Sequence, residues 1–223
     1  MNFFYHCSPL FVDESVKKFA MSPSMETDRF ISSAVRNHLR VNRDKVDLVA
    51  LTIQRGRDHE ISGYIKYKNF CSKDILRRRK MLLSVNKINN FYDLLQNWNL
   101  KMKFQELYNH VQDIDLFTGG MSEPPVPDGI IGTTFGCIIG LQFEKLRKCD
   151  RFWYETDDSK IGFTKKQLES IKKVTLGSIL CNNLDQASLF QKSVFELPND
   201  NYNPEIPCNL HASLDLSAWK SIK

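Results

Sequence analysis

Residues 47–59 read DLVALTIQRGRDH, and the rest of the chain is best understood outward from them. The first half is apolar at helical spacing, with Leu48, Val49 and Leu51 leading to Ile53. The second half gathers Arg55, Arg57, Asp58 and His59 around Gly56. Burying two guanidiniums is costly unless each meets an anion. The cluster therefore points either to a carboxylate or phosphate ligand or to an internal network of salt bridges. Physical chemistry alone favours the network, because structural ion pairs produce the same signature as binding sites.

Composition sets the frame. A chain of 223 residues can bury a substantial core without help from metals. Its apolar fraction of 42% and charged fraction of 26% are those of a folded globular protein. A net charge of +5 spread over this length does not by itself indicate nucleic-acid binding. No stretch approaches the roughly 20 continuous apolar residues of a membrane span. The opening MNFFYHCSPLFV has no basic leading segment and is interrupted by His6, Ser8 and Pro9, so it is not read as a secretory signal.

Six cysteines stand at positions 7, 71, 137, 149, 181 and 208. None forms a C-x-x-C pair, which argues against a structural zinc site or a thioredoxin-type redox pair. Taken on the residues alone, disulfides and buried free thiols are equally open.

Along the chain, residues 1–25 read as irregular. A helix is expected over residues 27–39, with Thr27 as N-cap and Phe30, Ile31, Ala34, Val35 and Leu39 near one face. His38 within it reads as a surface or capping residue. After a turn at Ser62–Gly63, residues 64–71 form a short helix ending near Cys71. The run LRRRK at 76–80 could be a nucleic-acid or heparin patch, although a solvated helix face is the preferred reading. Two amphipathic pieces follow between Asn90 and His110. DIDLFTGGMSEPPVPDG (113–129) then reads as an ordered loop. Asp113 and Asp115 there are too few for the six to eight oxygens of a calcium site, and carboxylate-to-backbone hydrogen bonds are preferred. TFGCIIGLQFEKLR (134–147) is the clearest helix. Phe152, Trp153 and Tyr154 read as core packing rather than a cation cage. Thr164 with Gln167 three residues on is a capping box that opens another helix, which is expected to restart towards Leu180. The proline-bearing tail reads as irregular, fastened at Cys208. With no repeat and no linker, residues 1–223 are expected to be one mainly α-helical unit.

DLVALTIQRGRDH resembles the DL-x-AL-N-x-QR-x-RDHG signature of the animal haem peroxidases. Four further blocks in the same order carry the resemblance: GYIKYKNFC (63–71), DIDLFTGGMSE (113–123), GCIIGLQFEKLRKCDRFWYE (136–155) and ILCNN (179–183). The resemblance implies the C-terminal helical portion of that fold, with little or no strand. It implies haem as cofactor of the full domain, hydrogen peroxide and an electron donor as reactants, and an extracellular location. It also implies disulfides Cys71–Cys137 and Cys181–Cys208. Cys7 and Cys149 have no counterpart and could pair with each other or remain free. The segment 72–84 is longer and more basic than in the family, which marks it as a candidate surface insertion. The family's calcium site lies in a segment outside this chain.

A haem peroxidase needs a proximal histidine on the iron, a distal acid–base group and a cation to stabilise the leaving oxygen. The family takes its ligand from R-[FY]-GH-[ST] and its distal residues from earlier segments. The five histidines here occur in YHC, NHL, DHE, NHV and LHA, and none matches. No catalytic residue and no metal ligand is therefore assigned. Two cofactor-binding positions carry over. Thr52 stands where the family asparagine hydrogen-bonds the proximal imidazole, and a threonine hydroxyl can accept that bond although it is shorter. Arg55 matches the arginine that approaches a haem propionate. Glu60 replaces the glycine usual after RDH, which costs stability if the turn needs a positive φ. Two functions compete: a haem-dependent peroxidase whose other half supplies the histidines, and an inactive, haem-free binding or structural module. A basic nucleic-acid-binding protein rests on LRRRK alone. Without the N-terminal half of the domain, the core helices are expected to leave large apolar faces exposed.

Overall fold

Tyr64 and Ile65 open the helix on which one half of the molecule is built, and both are fully buried. The computed structural model describes residues 9–41, 44–78, 88–94, 98–185 and 188–220. The chain divides into two compact units, Glu26–Cys149 and a second made of Met1–Met25 with Asp150–Lys223. Nine α-helices and two two-stranded sheets lie among the described residues, so the architecture is mainly α.

In the Glu26–Cys149 unit, α2 (Ser33–Asn37) and a short antiparallel pair, β1 (Arg40–Val41) with β2 (Asp44–Lys45), lead into α3 (Leu48–Asp58). α3 begins where Asp47 accepts hydrogen bonds from the backbone N–H groups of Val49 and Ala50, the donors a helix start leaves unpaired. α4 (Tyr64–Arg78) follows, and Tyr64 N–H donates to Ile114 O at 2.8 Å, tying the helix start to a strand of chain 50 residues on. α5 (Trp98–Leu107), α6 (Leu116–Met121) and α7 (Thr133–Cys149) complete the unit. The core consists of Tyr64, Ile65, Ile88, Leu94, Phe104, Val111 and Ile114, with Phe91, Tyr108 and Leu116 packed against it. α4 packs on both α6 and α7, and the Cys71–Cys137 disulfide joins α4 to α7.

In the other unit, α1 (Pro9–Met21) accompanies α8 (Lys165–Lys173), α9 (Leu176–Asn183) and a hairpin of β3 (Leu189–Gln191) with β4 (Glu205–Pro207). Reciprocal Thr164–Gln167 and Thr175–Ser178 capping boxes start α8 and α9. The fully buried Gln191 side chain donates to the carbonyls of Ala20 and Glu196. The Cys181–Cys208 disulfide fastens α9 to the chain just after β4. Its 27-residue separation and the 66 of Cys71–Cys137 correspond to about 3.5 and 4.3 kcal/mol in the chain-entropy model. Both pairs are those the resemblance implies. Cys149 is free and exposed, and Cys7 lies outside the described residues.

Several elements depart from the sequence reading. Residues 9–21 are helical rather than irregular, because Pro9 stands at the first helical position, where no N–H is required. The helix expected from Thr27 starts only after Ser32. Asp28 instead accepts the Phe30 N–H at 2.7 Å, a local bond that competes with helix, and Ser32 accepts from Ala34 N–H. His38 is the exposed C-cap of this short helix. α4 runs past Cys71 to Arg78, since nothing between them breaks a helix. Arg79 to Ser84, with the end of LRRRK, lies outside the described residues. The ordered loop contains α6, and the tail contains the β3–β4 hairpin. Phe152 and Tyr154 are exposed rather than packed in a core, and the half-buried Trp153 ring lies 4.9 Å from that of Tyr154 at a tilt of 55°.

Candidate functional site

The C-terminal half of α3 carries the candidate site. Thr52, Arg55, Gly56 and His59 recur at helical spacing and line one cavity of about 400 Å³, walled by Ile53, Ile61, Leu116, Phe117 and Phe135. The end of α3 holds this face in place. Glu60 N–H donates to Arg57 O and Ile61 N–H to Gly56 O, the paired bonds of a Schellman motif. Glu60 sits at its left-handed position with φ 55°. The turn is therefore formed without a glycine, at a strain of about 1–2 kcal/mol for an L side chain. Glu60→Gly should raise stability by about 0.5–1 kcal/mol after the extra chain entropy of glycine is subtracted. A urea melt with an unshifted or lower midpoint would refute that strain.

The two arginines of the opening stretch have different fates. Arg57 makes a bidentate pair with Asp115, Nε to Oδ1 at 2.9 Å and Nη2 to Oδ2 at 2.7 Å, and Tyr108 donates its hydroxyl to the same carboxylate at 3.0 Å. The Arg57 hydrogen bond holds the Asp115 carboxyl below the usual range against the opposing effect of burial. Asp113, by contrast, accepts from the backbone N–H of His110. The Asp113–Asp115 loop is thus pinned by a backbone bond and by a guanidinium. Among the described residues no cluster of His, Cys, Asp or Glu could hold a metal ion. The Arg55 side chain makes no hydrogen bond or ion pair among the described residues, and it is exposed to the cavity. One member of the pair serves the internal network; the other remains available to an anion.

Thr52 is also exposed, and its hydroxyl donates to Leu48 O at 2.8 Å. With its proton held by the helix, the oxygen keeps lone pairs to accept a further hydrogen bond. An open guanidinium one turn from an acceptor oxygen, facing aromatic walls, suits a flat apolar group with an acidic edge. The residues present thus fit the haem that the sequence resemblance implies.

A second constellation was missed by sequence reasoning. Glu123 is 8% exposed and accepts five hydrogen bonds. They come from Tyr64 Oη at 2.6 Å, Lys68 Nζ at 2.6 Å, Thr134 Oγ1 at 2.7 Å, Thr134 N at 2.8 Å and Thr133 Oγ1 at 3.3 Å. Burial pushes its carboxyl up, but the bonds from Lys68, Thr134 and Tyr64 outweigh it and hold the group below its ordinary value. Burial, then the neighbouring Glu123 charge, raise the Tyr64 phenol. Glu123 also accepts the Thr134 N–H in the first turn of α7, where a negative charge is favoured. The available signal was GYIKYK set against GGMSE, but spacing does not announce that Tyr64, Lys68 and Glu123 meet.

The animal haem peroxidase profile matches residues 3–195. Peroxidase mlt-7 of Caenorhabditis elegans is 39% identical over 79% of this chain, which spans 22% of that protein. Peroxidase-like protein 3 of Lottia gigantea is 33% identical over 98% of this chain, covering 69% of its own length. Mouse myeloperoxidase is 31% identical over 86% of this chain and 25% of its own. Peroxidase A from Dictyostelium discoideum superimposes with a TM-score of 0.57 at 22% identity, over 86% of this chain and 33% of that one, a likeness of fold. The ordered motifs, the helical architecture and a profile match over most of the sequence agree: this chain belongs to the animal haem peroxidase family.

Proposed function

We propose that residues 1–223 are the C-terminal part of a haem peroxidase domain and form one side of its haem site. Arg55 would hold a propionate, and Thr52 would accept a hydrogen bond from an imidazole supplied by the rest of the domain. Haem, when bound, supplies the iron at which peroxide is reduced and a donor oxidised. The contribution of this chain is to hold and orient it. The guanidinium fixes the acidic edge of the ring by a charge-assisted bond. The hydroxyl makes the imidazole a stronger ligand by taking its far N–H. Phe117 and Phe135 keep water from the apolar face. The observation that carries this reading is the division of labour between the arginines, with Arg57 committed to Asp115 and Arg55 left open. The rest of the peroxidase domain is the proposed partner and the source of the acid–base groups. Two disulfides suit an oxidising, extracellular compartment. No helix among the described residues is long and apolar enough to cross a membrane.

A haem-free relative that works as a binding module is the second reading, favoured by Thr52, whose side chain is drawn back onto Leu48 O. One titration separates them. Haemin is added to the purified chain with free imidazole as the ligand, and the Soret band is followed. Saturable binding is expected, weakened by Arg55→Ala about ten- to hundredfold, the worth of a hydrogen bond to a charged group. Absence of saturable binding, or Arg55→Ala binding as tightly as the parent chain, would support the haem-free reading.

A further inference from the structure

A second cavity, of about 530 Å³, shares only the Phe135 ring with the one over α3. Its volume is that of a small-molecule site. Leu94, Leu100, Met121, Ile130 and Ile131 form apolar walls, and Lys68 and Glu123 are the charged groups of its inner lining. The hydrogen-bonding capacity of that pair is lopsided. Two carboxylate oxygens offer about four lone-pair sites, and Glu123 already accepts five protein hydrogen bonds. It has nothing left to give a ligand. Lys68 carries three N–H groups. One meets Glu123, and the ammonium lies 5.3 Å from the Tyr64 ring centroid. At least one N–H therefore has no protein acceptor among the described residues, on a side chain still 23% exposed. Lys68 is paired with Glu123, and the exposed Asp28 and Arg29 add one charge of each sign to the lining.

We propose that this cavity binds a neutral, mainly apolar small molecule bearing one acceptor oxygen, such as an aryl or alkyl ketone or ester, with that oxygen on Lys68. A carboxylate would face the Glu123 charge, and an ammonium would face that of Lys68. The site uses neither Thr52 nor Arg55 and meets the cavity over α3 only at Phe135.

The test uses the full chain with methyl-labelled methionine, following the Met121 methyl resonance, assigned by Met121→Leu. Acetophenone, benzoate and benzylammonium are the probes. Acetophenone should shift the resonance saturably, with both ions about tenfold weaker, the scale of one hydrogen bond to a charged group. Lys68→Met should weaken acetophenone by a similar factor. Ile130→Trp, at a wall residue that is 72% exposed and so tolerant of change, should obstruct the cavity and abolish the shift. Equal binding of all three probes, a shift that never saturates, or an unchanged affinity in Lys68→Met would overturn the assignment. Should Lys68→Met fail to fold, the probe ranking and Ile130→Trp decide.

Discussion

Glu123→Gln should destabilise the protein by about 3–5 kcal/mol, the cost of breaking a buried ion pair from one side. Oε1 receives Tyr64, Lys68 and the Thr134 hydroxyl, while Oε2 receives the Thr134 N–H and the Thr133 hydroxyl. A glutamine offers one oxygen and one NH₂. Whichever way the amide turns, at least two donors point at its nitrogen and Lys68 loses its counter-charge, and each unpaired buried donor costs about 1–3 kcal/mol. Urea denaturation at neutral pH measures the loss, and a change below about 1 kcal/mol would show that the cluster relaxes around the amide. The pH dependence gives a second readout. Glu123 and Asp115 both titrate lower in the folded protein than their ordinary values of 4.5 and 3.8. Their contribution is complete above those values and is lost as pH falls through the lower, folded ones. Glu123→Gln should therefore flatten the acid limb of the stability curve, leaving the share that Asp115 supplies.

The second large effect is expected at Gly119. A Cβ there would overlap Cβ, Cγ and Cδ1 of Tyr64, a ring that is fully buried and held by Glu123. Neither partner can withdraw without breaking that hydrogen bond or opening the α4–α6 contact. Gly119→Ala should cost about 3 kcal/mol or more, the upper end of overpacking. Gly140→Ala is the matched control. It lies in α7 with nothing within 4 Å of the added carbon, so helix propensity should make it stabilising by up to about 1 kcal/mol. Thermal melts of the two variants should move in opposite directions. A Gly119→Ala melt that coincides with the parent's would mean that the ring is not confined.

The same contrast explains what could be read from the chain before its structure. The Thr164–Gln167 box was legible because it is a pair three residues apart, and so was the body of α7 from its continuous apolar run. Thr52 and Arg55 were legible as candidates through their place in an ordered motif. Their surroundings were not, because Phe117 and Phe135 come to the cavity from α6 and α7. α6 was hidden because two adjacent glycines read as loop. Their lack of a side chain instead lets the Tyr64 and Phe135 rings approach, and packing overrides their poor helix propensity.

By itself, then, the sequence determined the family, the mainly α-helical class and the bodies of α3, α7 and α8, since motif order, capping and periodicity all act over a few residues. Only the tertiary structure decided which arginine is neutralised, which carboxylate is buried and what Glu60 endures at φ 55°. Arg57 finds Asp115 across 58 residues and Tyr64 finds Glu123 across 59. The worth of a charge or a glycine depends on the neighbour that packing brings to it, and local spacing carries no record of that neighbour.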